Sequence, residues 1–179
     1  MKNAIKIQKG QDDLYVVVRE SIKRDFQEFI SDTSNKYGCI NQQTKEDFAS
    51  NGLNYNEWLN PSVNDEEFNI NEHNMKIKMW DRNPYEDLFI GNKTSCCTAI
   101  GTGVNGSATP AYLLSQAYNV VELYDEHDNA IGMSRIFAAN VDNKPSVIMD
   151  NIELNQNFLK ILSEDDKTEV RNKFFKYIN

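Results

Sequence analysis

The sequence predicts an α+β protein in which helices flank a largely antiparallel sheet. Three segments in its second half, residues 120–125, 130–139 and 146–154, are rich in β-branched and apolar side chains and are separated only by short polar turns. Helix patterns precede and follow these segments but do not alternate with them, which favours an antiparallel meander over a parallel sheet. We therefore expect one main domain built on this meander, preceded by a helical extension.

The N-terminal extension is expected to span residues 1–74. Apolar residues recur at three- and four-residue steps over 12–31, which predicts a helix with one buried face. A short second helix is expected over 41–49, because Gly52 follows it as a stop signal. Residues 52–74 contain many Asn, Asp and Glu residues, a composition typical of a linker.

The main domain is expected to span residues 75–179 and to begin with a strand. Residues 75–80 alternate apolar and basic side chains, as a half-buried strand does. A threonine followed by a proline predicts the start of a helix over 110–118, before the meander. A serine followed by three acidic residues predicts the start of the last helix, over 163–177.

Composition and charge exclude several classes of partner. The chain has 19 basic and 27 acidic side chains, a net charge of -8, and no cluster of basic residues, so we expect no binding to nucleic acid or to an anionic membrane surface. It contains no apolar run of the roughly 18 residues that a membrane span needs, and no N-terminal signal pattern. Its 3 cysteines are too few for a disulfide framework, which favours a reducing, cytoplasmic location.

The meander resembles part of a known fold. Residues 121–125 and 129–133 have the pattern of a hairpin, and residues 147–154 follow as the next strand. This order resembles the central part of the GNAT acyltransferase fold and covers about a third of the chain. A second, local resemblance is to uncharacterised bacterial proteins and rests on three motifs: Trp80-Asp81-Arg82-Asn83-Pro84, Asp87-Leu88-Phe89-Ile90-Gly91-Asn92 and Cys96-Cys97.

The GNAT resemblance implies an acyl-CoA-dependent N-acyltransferase that acts on the amine of a small molecule or a protein, with acetyl-CoA or another acyl-CoA as cofactor. It implies that an acid on strand 147–154 is the general base, and Glu153 is the candidate. A strand end ion-paired to Arg135 is the structural alternative for this carboxylate. Asn155, just after the strand, is a candidate cofactor contact, as are Gly101 and Gly103, because glycine-rich backbone presents N–H groups to anions.

The run of small and hydroxylated residues from Gly91 to Gly106 points to a second function. A thiol placed before a helix start is stabilised as a thiolate, so Cys96 or Cys97 is a candidate nucleophile of a cysteine-dependent hydrolase or transferase. Asn92 would then donate to an oxyanion. The bases available to such an enzyme are His73 and His127. The alternative is that these thiols are buried as small apolar groups.

No metal site is predicted. Adjacent cysteines do not readily ligate one zinc ion, and no further Cys or His pair has the required spacing. Asp81, Asn83 and Asp87 supply oxygen ligands at short intervals, but they lack the glycine and terminal glutamate of a calcium loop. A solvated turn is the expected structure there.

A third interpretation is a non-catalytic interaction module with a degenerate acyltransferase fold. Residues 155–160, which follow the strand, contain no glycine, and Glu164, Asp165 and Asp166 would repel a phosphate. The sequence ends after the last helix, where the GNAT fold continues with another strand, so we expect either a fragment of a longer domain or a sheet that is completed differently. The three interpretations differ on whether the domain is an enzyme.

Overall fold

The computed structural model describes residues 4–9, 12–31, 42–50, 52, 54, 58, 65–79, 87–115 and 117–178. It confirms an α+β architecture with an antiparallel sheet flanked by helices. The main sheet has the order β3-β4-β5-β6-β7, and a separate hairpin pairs β1 with β2. The strands are β1 (Ala4–Lys9), β2 (Asp12–Val17), β3 (Glu66–Ile70), β4 (His73–Met79), β5 (Tyr118–Asp125), β6 (Ala130–Val141) and β7 (Lys144–Leu154).

Six helices and two 3₁₀ turns are described. They are α1 (Lys23–Ser31), α2 (Gln42–Ser50), α3 (Ile90–Lys93), α4 (Thr109–Leu114), α5 (Gln156–Ile161) and α6 (Glu164–Ile178), with the 3₁₀ turns Glu20–Ile22 and Gly106–Ala108. Within the described part of the chain, none of these helices has both the length and the apolar character that crossing a membrane requires.

Both faces of the main sheet are covered at β5, which is buried at every position except its last. One face, which includes Val120 and Met133, packs with Cys96 and with the β1–β2 hairpin; we call it the cysteine face. The other includes Val121 and Leu123 and packs against α5 and α6; we call it the helix face. Strands β5 and β6 contribute residues to both cores.

The predicted helix over 12–31 is wrong in its first part. Residues 12–17 form β2, which pairs with β1 in the register Val16 to Ile5, and the α-helix begins only at Lys23. Alternation explains the difference: Val16 is 1% exposed whereas Tyr15 is 61% exposed, a two-residue period that the β-branched run at this point supports.

Some of the other predicted elements are confirmed, and others are wrong in position or type. The second helix, the three strands of the meander and the last helix are confirmed, with boundaries shifted by a few residues. The helix expected over 110–118 ends at Leu114. The expected linker contains β3, which pairs with β4 through a tight turn that begins at Asn71, a residue with a φ of 53°. Helix α5 lies where no helix was predicted.

Strand β7 contains a bulge. Ser134 pairs with Ile152 and Ile136 pairs with Met149, so Arg135 alone lies opposite two residues of β7, Asp150 and Asn151. The Ser134 hydroxyl donates to the Asp150 carbonyl at 3.0 Å and fixes the distortion. Among the described strands β7 has β6 as its single neighbour, so its outer edge lies at the border of the sheet.

The β5–β6 turn is organised by one carboxylate. Asp125 Oδ1 accepts hydrogen bonds from the backbone amides of His127 at 2.9 Å and Asn129 at 2.8 Å. Partial burial would raise the pKa of Asp125, but the hydrogen bonds from Asn129 and His127 hold that pKa below its ordinary value. The charged form therefore stabilises the turn.

Replacing Asp125 by alanine is expected to lower the free energy of unfolding by about 1 kcal/mol at about pH 7. Because the folded-state pKa is lowered, the contribution is complete above the unfolded pKa near 4 and is lost as the pH falls through the folded value. Urea denaturation of both proteins at about pH 7 and about pH 3 should show the difference shrinking in acid. Glu126→Ala, on the same turn, is the control, and an equal difference at both pH values would contradict the assignment.

Candidate functional site

The segment Gly91–Gly106, which we call the cysteine loop, is shaped by its own backbone hydrogen bonds. The Cys96 amide donates to the Gly91 carbonyl at 2.8 Å, and the Gly103 amide donates to the Ala99 carbonyl at 2.8 Å. A third bond, from the Asn105 amide to the Cys97 carbonyl at 2.8 Å, closes the end of the loop. Between α3 and the 3₁₀ turn at 106–108, this internal bonding replaces regular secondary structure, which the local residues disfavour.

The Asn92 side chain bridges two parts of this loop. Its Nδ2 donates to the Ile100 carbonyl at 2.9 Å, and its Oδ1 accepts from the Ile100 amide at 2.9 Å. Both polar atoms of the side chain are thus used to hold the two ends of a nine-residue segment together. Donation from Asn92 to an oxyanion stays a prediction. It would require Nδ2 to bond the oxyanion in addition to, or in place of, the Ile100 carbonyl.

The candidate glycines occupy different environments. A Cβ at Gly103 would lie 2.2 Å from the Cys97 carbonyl oxygen, so this glycine permits close approach of two backbone segments. Its amide is used within the loop. Gly101 is exposed, with a φ of +81° and no neighbouring atom within 4 Å of a built Cβ. Cofactor binding by Gly101 and Gly103 stays a prediction.

The two neighbouring thiols have opposite environments. Cys96 is 4% exposed and belongs to the core of the cysteine face, whereas Cys97 is exposed. Cys97 Sγ accepts a weak hydrogen bond from Asn105 Nδ2 at 3.7 Å. Both candidate bases are exposed elsewhere: His73 is the first residue of β4, and His127 lies in the β5–β6 turn with its Nε2 atom 3.7 Å from a Glu126 oxygen. The third thiol, Cys39, and the motif residues 80–86 lie outside the described residues.

A buried polar triad surrounds the Cys96 sulfur. Thr98 Oγ1 donates to Cys96 Sγ at 3.3 Å, and Arg135 Nη1 donates to the same sulfur at 3.5 Å. Arg135 Nη2 also donates to Thr98 Oγ1, so the three groups form a closed ring of hydrogen bonds. Burial would raise the pKa of the Cys96 thiol, but the hydrogen bonds from Thr98 and the charge of Arg135 hold that pKa below its ordinary value.

More buried polar side chains lie around this triad on the cysteine face. Arg135 is 5% exposed and lies over the Tyr112 ring at 5.8 Å, while Tyr124 Oη donates to Glu122 Oε2 at 2.6 Å. Burial raises the pKa of the Tyr118 hydroxyl, which also interacts with Arg135. Sequence reasoning missed the triad, although an arginine and a glutamate within two apolar strands were a signal that these charges find buried partners.

Glu153, the candidate base for acyl transfer, lies on the bulged strand β7. Glu153 is half-buried and pairs with Met133, so its side chain lies on the cysteine face of this edge strand, while Asp150 in the bulge is exposed. A groove of about 580 Å³ runs along this part of β7. It is lined by residues 149–153 of the strand and by Arg171 and Phe175 of α6. The hydrogen bonds of Arg135 go to Cys96 and Thr98, so they do not supply the ion pair considered for Glu153.

Asn155 caps the short helix α5. Its Oδ1 accepts from the amides of Asn157 at 2.9 Å and Phe158 at 3.4 Å. Its Nδ2 donates to the Lys93 carbonyl at 2.7 Å, which joins α5 to the start of the cysteine loop. A second groove, of about 620 Å³, is lined by Asn155 together with Lys93, Phe158 and the β5–β6 turn. Both polar atoms of the Asn155 side chain, which was predicted to contact a cofactor, therefore form hydrogen bonds within the protein.

Comparison with protein-family models, with curated proteins and with solved structures finds no match for this chain. Within the described ranges, no cluster of three or more His, Cys, Asp or Glu residues is arranged to hold a metal ion. The described residues offer two candidate functional features: the bulged edge of β7 and the triad around Cys96.

Proposed function

We propose that this chain is a GNAT-like domain that transfers an acyl group from an acyl-CoA to an amine along the outer edge of β7. The observation that carries the proposal is the bulge at Asp150–Asn151 beside the groove that Glu153 lines. Bulges occur preferentially next to active sites, where they redirect backbone and side-chain groups toward a ligand. A half-buried carboxylate at such a place is suited to accept a proton from an amine.

The edge of β7 fits the amide-bearing arm of an acyl-CoA. An edge strand presents backbone N–H and C=O groups, and a ligand with amide groups pairs with them as an added strand would. Across the groove, Phe175 is 52% exposed and offers an apolar wall, and Arg171 offers a positive charge. The thioester of the bound cofactor would supply the activated carbonyl at the strand edge, and Glu153 would remove the proton of an amine that approaches from the cysteine face.

The N-terminus of α5 does not fit a diphosphate. The Asn155 side chain already occupies the amides of Asn157 and Phe158, which a diphosphate would need as donors. The first turn of α6 carries Glu164, Asp165 and Asp166, which repel phosphate. Arg171 in the β7 groove is accordingly our candidate for the cation that meets the cofactor phosphates.

Thermal-shift measurement with acetyl-CoA and free CoA tests binding. At about 1 mM ligand we expect an increased melting temperature, since a ligand that binds the folded state stabilises it. Arg171→Ala should reduce this increase, and Lys160→Ala, which removes an exposed cation outside the groove, should not. The absence of any stabilisation by either ligand would overturn the proposal.

Glu153→Gln is expected to reduce acetyl transfer to a lysine-containing peptide or a polyamine about a hundredfold, because the amide cannot accept the proton. Binding of acetyl-CoA by this variant should be unchanged within twofold, since the substitution keeps the shape of the side chain. Glu169→Gln, which makes the same change at an exposed carboxylate of α6 outside the groove, is the matched control. Equal transfer rates for the wild type and Glu153→Gln would remove this residue from the role of base.

One observation favours a second candidate function, a non-catalytic interaction module. The self-capped α5 leaves no prepared diphosphate site, while the edge of β7 suffices to pair with an extended peptide. Stabilisation by a lysine-containing peptide without stabilisation by acetyl-CoA or CoA would support this candidate over acyl transfer.

A further inference from the structure

The triad of Cys96, Thr98 and Arg135 has no role in acyl transfer at β7, yet it buries a thiol, a hydroxyl and a guanidinium together on the cysteine face. Burying a guanidinium costs free energy unless its donors find partners. Here two of its nitrogens meet a sulfur atom and a hydroxyl. A neutral thiol is a poor acceptor, so this arrangement suits a sulfur that carries negative charge.

The hydrogen-bond directions agree with a thiolate. Thr98 Oγ1 accepts from Arg135 and so directs its own proton to Cys96 Sγ. Two donors thus converge on one sulfur. Arg135 Nε, buried beside them, has no hydrogen-bond partner among the described residues. The side chain that bonds the sulfur therefore keeps one buried donor without an acceptor.

The buried Cys96 lies close to the protein surface. Cys96 is flanked by two exposed residues, Ser95 and Cys97. Local opening of residues 94–105, which form neither helix nor strand, admits a molecule as small as hydrogen peroxide. Larger electrophiles are excluded by the same burial, which leaves Cys96 only 4% exposed.

We propose that Cys96 is a site of oxidation by hydrogen peroxide and that Cys97 captures the oxidised sulfur as a disulfide. In the first step the Cys96 thiolate attacks one peroxide oxygen, the O–O bond breaks, and hydroxide leaves and is protonated to water. The sulfur is oxidised to a sulfenic acid and the peroxide is reduced. In the second step the Cys97 sulfur attacks the sulfenic sulfur, an S–S bond forms, and the hydroxyl group leaves as water with the Cys97 proton.

The disulfide would change the loop and would be easily reversed. Adjacent Cα atoms are about 3.8 Å apart, closer than in ordinary disulfides, so the bond is strained and more easily reduced. Forming it also draws the Cys96 sulfur away from Arg135 and Thr98. The buried guanidinium then loses one of its two acceptors, so oxidation should loosen the packing of the cysteine loop on the sheet.

The test uses a Cys39→Ser background, which removes the third thiol. We expect stoichiometric hydrogen peroxide to remove two hydrogens from the tryptic peptide that contains both Cys96 and Cys97, and dithiothreitol to restore the original mass. In a Cys97→Ser variant, the sulfenic acid cannot be captured, and dimedone should label Cys96. In a Cys96→Ser variant neither product should form at the same peroxide concentration.

Two threonine variants separate a positioned thiolate from a merely buried thiol. Thr98→Val removes the donor to Cys96 and should slow dimedone labelling in the Cys97→Ser protein about tenfold. Thr94→Val is the matched control, because Thr94 is also buried in the loop but its hydroxyl bonds only to the Ile90 carbonyl in the described structure. Circular dichroism and melting temperature would establish that both variants are folded.

Two results would overturn the proposal. One is labelling of Cys96 only after addition of urea, which would make it an inert buried thiol. The other is equal labelling rates in the Thr98→Val and Thr94→Val proteins, which would show that the hydrogen bonds of the triad do not activate the sulfur.

Discussion

Replacing Arg135 by leucine is expected to lower the free energy of unfolding by about 3–5 kcal/mol. The guanidinium is 5% exposed and donates to both Cys96 and Thr98, so its removal leaves the sulfur without its charged partner. It also removes the contact with the Tyr112 ring on the same face. Urea denaturation of both proteins at neutral pH measures the loss.

Two further variants test whether the effect of Arg135→Leu depends on burial of the guanidinium and on its contact with Cys96. Arg171→Leu removes an exposed guanidinium and should change the free energy of unfolding by less than about 0.5 kcal/mol. In a Cys96→Ala background, Arg135→Leu should cost less than in the wild type, because the charge partner is already absent. Equal costs in both backgrounds would contradict an energetic link between Arg135 and the thiol.

Gly103→Ala is expected to have the second large effect, a loss of about 3 kcal/mol or more in the free energy of unfolding. The added Cβ would lie 2.2 Å from the Cys97 carbonyl oxygen and 2.6 Å from the Ala99 nitrogen. Both are backbone atoms held by the hydrogen bonds of the loop, so neither can move without breaking that structure.

Gly101→Ala is the matched control for this effect. Gly101 has a φ of +81°, which is unfavourable for alanine, but no atom lies within 4 Å of its Cβ position. The cost should therefore be the backbone strain of about 1 kcal/mol and no more. A loss at Gly103 no larger than at Gly101 would show that the cysteine loop is not closely packed at this point.

The meander was predictable because its signals are local. Residues 120–154 combine β-branched strands with turn sequences, and strands joined by tight turns pair in one way. The N-terminal hairpin was mistaken for a helix because apolar residues over 12–17 satisfy both a two-residue and a three- or four-residue step. Pairing with β1, which resolves the ambiguity, joins segments whose match is visible only when both are considered together.

The candidate sites were predictable only in location. The sequence marked the cysteine loop and Glu153, but it did not show that Cys96 is buried and Cys97 exposed. Arg135 lies 39 residues from Cys96 in the sequence, and their contact depends on the sheet that forms between them. Asn155 shows the converse: it lies where a cofactor contact was expected, but its side chain caps α5 instead of presenting free donors.

Amide-resolved NMR titration with acetyl-CoA tests most directly whether the edge of β7 is the acyl-CoA site. We predict that chemical-shift changes concentrate on residues 149–153 and on Arg171, with smaller changes at Phe175, and that Arg171→Ala weakens the titration. Changes concentrated instead at Lys93, Asn155 and Phe158, which line the other groove, would place the ligand elsewhere. That pattern, or the absence of changes at about 1 mM acetyl-CoA, would show that the edge of β7 is not the acyl-CoA site.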